Sequence, residues 1–215
     1  FYPGVPEIFD TINNLLRGEA KYEEYDIKVE QYIVSTGMTQ VIRGSSVMPY
    51  VKNVWGCELI EEASADGVPV ISEVGYTIDN TTKTRALFEI NKGVWLSDGR
   101  IEVNTNIPEE QRRVNFKNMI YIADGPSDVP AFSVVNKNGG ATFAIYPRGN
   151  RKAFAQAEQL RMDGRVNMFA EADYRENTTA YMWITEKIKE MAERIYGSER
   201  EKVFDNISAA PRHLS

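Results

Sequence analysis

The sequence has very little histidine and cysteine, and this scarcity excludes several kinds of catalytic site. Its 215 residues include one cysteine, Cys57, and one histidine, His213. A disulfide within this chain is therefore impossible. A Ser-His-Asp or Cys-His catalytic group, or a histidine-based zinc site, needs an imidazole held rigidly in the fold, and we expect His213 to lie in a frayed end. Carboxylates, hydroxyls, lysines and backbone amides remain as candidates for chemistry.

The sequence also lacks the patterns of nucleotide-binding and membrane proteins. Neither GxxxxGK[ST] nor GxGxxG occurs, so no motif supports a P-loop or a dinucleotide site. Apolar runs fall short of the roughly 20 residues that a membrane-spanning helix needs. With 25 basic and 31 acidic residues, the formal net charge is −6, which gives no positive field to attract nucleic acid or an anionic membrane. We expect neither partner, and we expect a cytoplasmic location.

What the sequence does contain is an alternation of apolar strand-like segments and helical periods. Strands are predicted at 31–37, 119–123, 141–147 and 165–172, with a β-hairpin over 55–78. Helices are predicted at 1–16, 38–51 (broken near Pro49), 81–93, from about 129, 151–163 and 178–195. Apolar strands between helices bury both faces of their sheet. The pattern therefore predicts an α/β fold with a doubly wound, mostly parallel sheet.

Two aspartates flank a Gly-Pro-Ser bend at the end of the strand MIYIA. Asp124 follows the strand, and Asp128 precedes a helix that has Pro130 in its first turn. Ligands of such sheets bind at the carboxyl ends of the strands, and carboxylate pairs there suit Mg²⁺. The alternative is that Asp128 is only a helix N-cap and Asp124 only a turn residue.

Two further segments carry polar groups at the end of a predicted strand or at the start of a predicted helix. Ser35, Thr36 and Gly37 end the strand IVSTG before a helix, where free backbone N–H groups would suit a phosphate, although a plain helix cap would look the same. Lys83 stands in the first turn of its helix, at the unfavourable end of the helix dipole. A charge at the unfavourable end of a helix dipole often marks a functional position, although a solvated surface lysine tolerates such a place at little cost. Lys92, on the last turn, is placed as electrostatics prefers.

In this order, the three segments resemble motifs two, three and four of the haloacid dehalogenase superfamily. IVSTG resembles motif two, Lys83 in TTKTRALFEINKG motif three, and IADGPSDVPAF motif four, with Ala123 where the family often has glycine. The segment PGVPEIFDTI is similar to a helix that precedes motif two in phosphoserine-phosphatase-like members. The resemblance spans residues 1 to about 175, with insertions near 18–30 and 94–118.

The family's first motif, Asp-x-Asp on the central strand, is missing from these residues. We therefore expect an upstream segment, bearing motif one and a cap, to be absent from this chain. The expected organisation is an incomplete Rossmann-like core of the haloacid dehalogenase (HAD) type over 1–197, with a polar tail over 198–215. The missing strand would lie between those at 31–35 and 119–123, and unpaired apolar edges tend to recruit another strand. Pairing with that segment or homo-oligomerisation is the expected result.

The resemblance implies that the intact protein is a Mg²⁺-dependent phosphohydrolase that acts on a small phosphorylated metabolite through an aspartyl-phosphate. Asp124 and Asp128 would hold or orient Mg²⁺, Ser35 and the amides after it would bind a phosphoryl oxygen, and Lys83 would neutralise developing charge. The chain alone would lack the nucleophile and be inactive. One alternative is a non-catalytic module that binds a phosphorylated ligand or regulates a partner. Another is a structural α/β domain whose polar residues are caps and surface groups.

Overall fold

The computed structural model describes the backbone of residues 1–208 and the side chains of residues 1–204. His213 and residues 209–215 of the predicted tail lie outside the described residues. The helices, in chain order, are α1 (Val5–Asn14), α2 (Ala20–Glu23), α3 (Thr39–Arg43), α4 (Asn80–Lys92), α5 (Val129–Lys137), α6 (Arg151–Met162) and α7 (Thr179–Ser208). The strands are β1 (Gln31–Met38), β2 (Val51–Ala63), β3 (Pro69–Tyr76), β4 (Ile120–Ala123), β5 (Ala141–Tyr146) and β6 (Met168–Glu171).

These elements form a mixed α/β fold with two three-stranded sheets in the described part of the chain. One sheet has the order β1-β2-β3, in which β1 and β2 are parallel and β2 and β3 form an antiparallel hairpin. The other has the order β4-β5-β6 and is parallel throughout. Strands β1 and β4 each stand at an outer edge of their own sheet.

The chain divides into two compact units, and the first consists of helices. Among the described residues it contains Phe1, Pro3–Glu30 and 173–208, so α1, α2 and α7 belong to it. Helix α1 buries Val5, Ile8 and Ile12, a spacing that forms one apolar stripe. Helix α2 contacts α7, where the Tyr22 hydroxyl donates to Glu193 Oε1 at 2.6 Å.

The second unit, Tyr2 with Gln31–Ala172, holds both sheets and the main hydrophobic core. Phe132 and Val135 of α5 are fully buried there, and Tyr32 and Val34 of β1 pack against the same core. Gly140, just before β5, shows how tightly this core is closed. A Cβ on Gly140 would lie 2.4 Å from the Phe116 carbonyl oxygen, so only glycine fits.

Most predicted elements correspond to observed ones. The strands predicted at 31–37, 119–123 and 141–147 are β1, β4 and β5, and the helices predicted at 81–93 and 151–163 are α4 and α6. The predicted hairpin corresponds to β2 and β3, although β2 begins earlier, at Val51, because its first residues pair with β1. The α/β class and the predominance of parallel pairing are confirmed.

Three predicted boundaries are wrong. The helix predicted over 38–51 is only Thr39–Arg43, followed by a 3₁₀ turn at Met48–Tyr50, since Gly44, Ser45 and Ser46 are poor helix formers. The strand predicted at 165–172 is shortened to β6, because side chains interrupt the regular backbone pairing before it: the Thr142 N–H donates to Asn167 Oδ1. The helix predicted over 178–195 is α7, which continues to Ser208, so the first part of the predicted polar tail is helical.

None of the described helices combines the length and the hydrophobicity that crossing a membrane requires.

Candidate functional site

The centre of the site is a buried ion pair between Lys83 of α4 and Asp128, which immediately precedes α5. Lys83 Nζ lies 2.7 Å from Asp128 Oδ1, and the residues are 6% and 3% exposed respectively. The partners are 45 positions apart in the sequence. Tertiary structure therefore joins two of the three sequence segments that were singled out.

Helix α4 begins in a way that sets the position of Lys83. Asp79 is its N-cap, with a side chain that accepts hydrogen bonds from the N–H groups of Thr81 and Thr82. These bonds stabilise the charged carboxylate and lower the pKa of Asp79, with the Thr82 contribution the largest. Lys83 lies one turn inside this capped end, and its N–H bonds to the Asp79 carbonyl at 2.9 Å. Its unfavourable place on the helix dipole is offset by Asp128.

Two neighbouring hydroxyl groups complete the surroundings of Asp128. Tyr121 of β4 donates to Oδ1 at 2.6 Å, and Ser127 donates to Oδ2 at 3.3 Å while accepting from Lys83 Nζ at 3.1 Å. Burial, followed by the negative charge of Asp128, raises the pKa of Tyr121. The phenol therefore stays protonated and remains a donor at neutral pH. Both oxygens of Asp128 are thus engaged by side chains.

This geometry argues against the interpretation of Asp128 as a simple helix cap. Asp128 precedes α5, yet its side chain makes no capping hydrogen bond. The carboxylate faces Lys83 and Tyr121 instead. Because a buried charge is costly unless it is paired and hydrogen-bonded, this network is what allows both charges to remain in the interior.

Asp124 has a different environment, although it belongs to the same short loop. Its side chain is exposed, and Oδ2 accepts a hydrogen bond of 3.2 Å from the hydroxyl of Tyr2. Partial burial, and then the charge of Asp124, raises the pKa of Tyr2, so the phenol is the donor. The structure describes no protein donor for the other oxygen of Asp124, Oδ1, which leaves it open to a ligand.

The predicted phosphate-binding segment is arranged differently from the expectation. Strand β1 continues to Met38, so Thr36 and Gly37 lie within the strand and not at a helix N-terminus. Ser35 Oγ accepts from the Gly37 N–H at 3.0 Å, and both Thr36 and Gly37 are exposed. The hydrogen bonds described for Lys83 go to Ser127 and Asp128, and none reaches Ser35.

Lys92, the other lysine of α4 considered in the sequence, has a structural contact. Its Nζ donates to the carbonyl oxygens of Val103 and Thr105, at 2.6 and 2.7 Å. These bonds hold the irregular segment after α4 against the end of the helix. We therefore assign Lys92 to the stability of that segment.

The oxygen donors fit a hard divalent cation only in part. Asp124 offers a free carboxylate oxygen of the kind that Mg²⁺ binds, whereas Asp128 is occupied by Lys83 and two hydroxyl groups. Within the residues that the structure describes, no cluster of three or more His, Cys, Asp or Glu side chains could hold a metal ion. Mg²⁺ commonly uses only one or two protein carboxylates and completes its shell with water and substrate phosphate.

Sequence reasoning missed Tyr121, Ser127 and Tyr2 as contacts of the two aspartates. For Tyr121 a signal was present, because a tyrosine within the apolar strand MIYIA needs a hydrogen-bond partner for its buried hydroxyl. Ser127 lies in the Gly-Pro-Ser bend, where the local pattern predicts only a turn residue. Tyr2 is 122 positions from Asp124, and no local pattern connects the two.

Comparison with known proteins finds a relative of this chain but no assignment of function. A protein from Borreliella burgdorferi, described as uncharacterized, is 40% identical over 201 residues. The match covers 87% of this chain and 66% of that relative, so the chain spans less than two thirds of the relative's length. No family model matches the chain, and no solved structure matches it.

Proposed function

We propose that the intact protein is a Mg²⁺-dependent phosphohydrolase of the haloacid dehalogenase type, which acts through an aspartyl-phosphate on a small phosphorylated metabolite. The observation that carries the proposal is the buried contact of 2.7 Å between Lys83 and Asp128. The sequence resemblance assigns these residues to motifs three and four, which must converge on one phosphoryl group. The contact is a long-range feature that neither segment encodes alone.

The arrangement of the two sheets also supports this proposal. Strands β1 and β4 are edges of different sheets, yet side chains of both belong to one core. A further strand between them would merge the sheets into one of the doubly wound kind. The resemblance places the nucleophilic aspartate on that strand, and no Asp-x-Asp occurs in these 215 residues. We propose that a segment outside this chain supplies it.

Within the proposed reaction, the residues of this chain position and neutralise charge. Lys83, held by Asp128, would stabilise the negative charge that gathers on the phosphoryl oxygens as the transition state forms. Ser35, within β1, would donate its hydroxyl to a phosphoryl oxygen once substrate replaces the local contact with Gly37. The amides of Thr36 and Gly37 would bind the same group.

Asp124 is the residue of this chain that would hold Mg²⁺ directly. Its oxygen Oδ1 is open, whereas Asp128 would orient the site through Lys83. When bound, Mg²⁺ would neutralise charge on the substrate phosphate and align it for in-line attack.

Substitution of Asp124 tests the proposal. In the full-length protein, Asp124→Asn should lower the turnover of a generic phosphate ester such as p-nitrophenyl phosphate by at least about a hundredfold, the scale for loss of one electrostatic stabiliser. The matched control is Asp66→Asn, the same change at an exposed residue in the turn of the hairpin, which should retain full activity. Equal activity of Asp124→Asn and wild type would refute the assignment.

A second candidate is a non-catalytic module that keeps this scaffold and binds a phosphorylated ligand. Side chains occupy both oxygens of Asp128, so this carboxylate holds Lys83 and not a metal, an arrangement compatible with binding without turnover. Full-length protein that binds inorganic phosphate or its tungstate analogue, but hydrolyses no ester in the presence of Mg²⁺, would favour this candidate.

A further inference from the structure

The two aspartates of the loop 124–128 differ in how firmly their side chains are held. Asp128 is buried, and its carboxylate accepts hydrogen bonds from Lys83, Tyr121 and Ser127. Asp124 is exposed, and the described part of the chain provides it with one side-chain donor, the hydroxyl of Tyr2. An exposed aspartate samples several side-chain rotamers unless a partner selects one.

We infer that Tyr2 is a positioning residue, whose hydroxyl holds the Asp124 carboxylate in the orientation in which it accepts a divalent cation. This inference rests on the proposed function, because it takes Asp124 as the direct metal ligand.

The geometry of the contact supports a positioning role. Tyr2 belongs to the same compact unit as Asp124, and its hydroxyl reaches Oδ2 at 3.2 Å. That contact leaves Oδ1 available, so the hydrogen bond and a metal ion use different oxygens of one carboxylate. Tyr2 is also half-buried, which restricts the motion of its ring more than that of a fully exposed side chain.

The chemistry of metal sites gives the expected size of the effect. Carboxylates that bind metals are commonly oriented by a hydrogen bond from a second group, and loss of such a group weakens metal binding by about 10- to 100-fold. The contact here is a single neutral hydrogen bond on an exposed group. We therefore expect the lower end, about a tenfold loss of affinity.

The experiment measures cation binding directly in the full-length protein. Mn²⁺ is titrated and its free concentration followed by electron paramagnetic resonance, and Mg²⁺ is then added as a competitor. Tyr2→Phe should weaken binding about tenfold, since it removes the hydroxyl and keeps the ring. Tyr76→Phe removes a hydroxyl of strand β3 for which the structure describes no hydrogen bond to Asp124, and it should bind as wild type does. Asp124→Asn should bind most weakly.

A kinetic measurement separates positioning from a general structural role. If Tyr2 positions Asp124, Tyr2→Phe should raise the Mg²⁺ concentration for half-maximal activity about tenfold, and saturating Mg²⁺ should restore the wild-type turnover. Reduced turnover at every Mg²⁺ concentration would indicate a structural role and overturn the inference.

The outcomes also distinguish failure of this inference from failure of the proposed function. If Asp124→Asn weakens Mn²⁺ binding but Tyr2→Phe does not, the inference about Tyr2 is wrong and the metal role of Asp124 stands. Equal weakening in Tyr2→Phe and Tyr76→Phe would also overturn the inference. If the wild-type protein binds no Mn²⁺, or Asp124→Asn binds it unchanged, the proposed function fails and the inference fails with it.

Discussion

Strands β5 and β3 are both short and apolar, yet their environments are opposite. In β5, ATFAIY, the first five residues are buried. In β3, PVISEVGY, all eight residues are exposed, including Val70, Ile71 and Val74. The difference does not arise from hydrophobicity. It arises from neighbours, because β5 lies between two strands and contacts α5 and α6, whereas β3 is the outer strand of its sheet.

This contrast shows where the stability of the second unit resides. The buried side chains of β5 alternate between the two faces of its sheet and so remove apolar surface from water on both faces. The aliphatic side chains of β3 gain little from folding, since most of their surface remains in water. Exposed branched residues on an edge strand are also a template for pairing with another chain. The same kind of strand thus stabilises the fold at one place and is a potential interaction surface at the other.

The largest loss in the free energy of unfolding is expected when a large side chain is removed from β5. Phe143 is fully buried at the centre of the strand. Phe143→Ala should lower the free energy of unfolding by about 3–5 kcal/mol, because it creates a cavity in a closely packed core. Urea denaturation followed by circular dichroism measures the change. A loss below about 1 kcal/mol would show that β5 is not the tightly packed strand described here.

A smaller effect is expected from the buried hydroxyl group of β5. Thr142 is fully buried, and its hydroxyl accepts a hydrogen bond from the Asn167 N–H at 3.1 Å and donates one to Asn167 Oδ1 at 3.0 Å. Thr142→Val keeps the shape but removes both contacts, at a cost of about 1–2 kcal/mol in the free energy of unfolding. Backbone hydrogen exchange should show faster opening of the Asn167 amide in the variant. Unchanged stability and exchange would contradict the role of this bridge.

The smallest effect is expected on β3. Ile71 is 63% exposed, and Ile71→Thr retains a β-branched side chain, so the free energy of unfolding should change by no more than about 0.5 kcal/mol. The matched control is Ile145→Thr on β5, where the residue is 7% exposed and a hydroxyl would enter the core, with an expected loss of more than about 2 kcal/mol. Similar losses in the two variants would remove the distinction between the strands.

Local patterns predicted much of the fold because they reflect local physics. The capped start of α4 follows from Asp79 and the two threonines after it, and its end at Gly93 follows from a backbone φ of +72° that favours glycine. The continuous apolar segment 141–147 indicates a strand buried on both faces. By contrast, α7 ran further than predicted, because most of a helix's stability comes from tertiary packing and no strong stop signal marks its end. The early end of α3 at Gly44 is a local signal that the prediction overlooked.

Part of the candidate site could also be predicted. Asp124 and Asp128 stand at a strand end in the sequence, where ligands of parallel sheets bind. Lys83 was notable because its charge is unfavourable near a helix start. The different states of the two aspartates could not be predicted, since their spacing is the same whether a carboxylate is buried or exposed.

The sequence by itself determined the α/β class, the order of most elements, and the choice of Lys83 and the two aspartates as candidates, because periodicity, turns and caps are set by neighbouring residues. Tertiary structure alone decided that Lys83 pairs with Asp128, that Tyr121 and Tyr2 each contact one aspartate, and that β5 is buried while β3 is exposed. The physical reason is that burial and charge pairing depend on which distant segments meet. That outcome is a property of the packed chain and of no single segment.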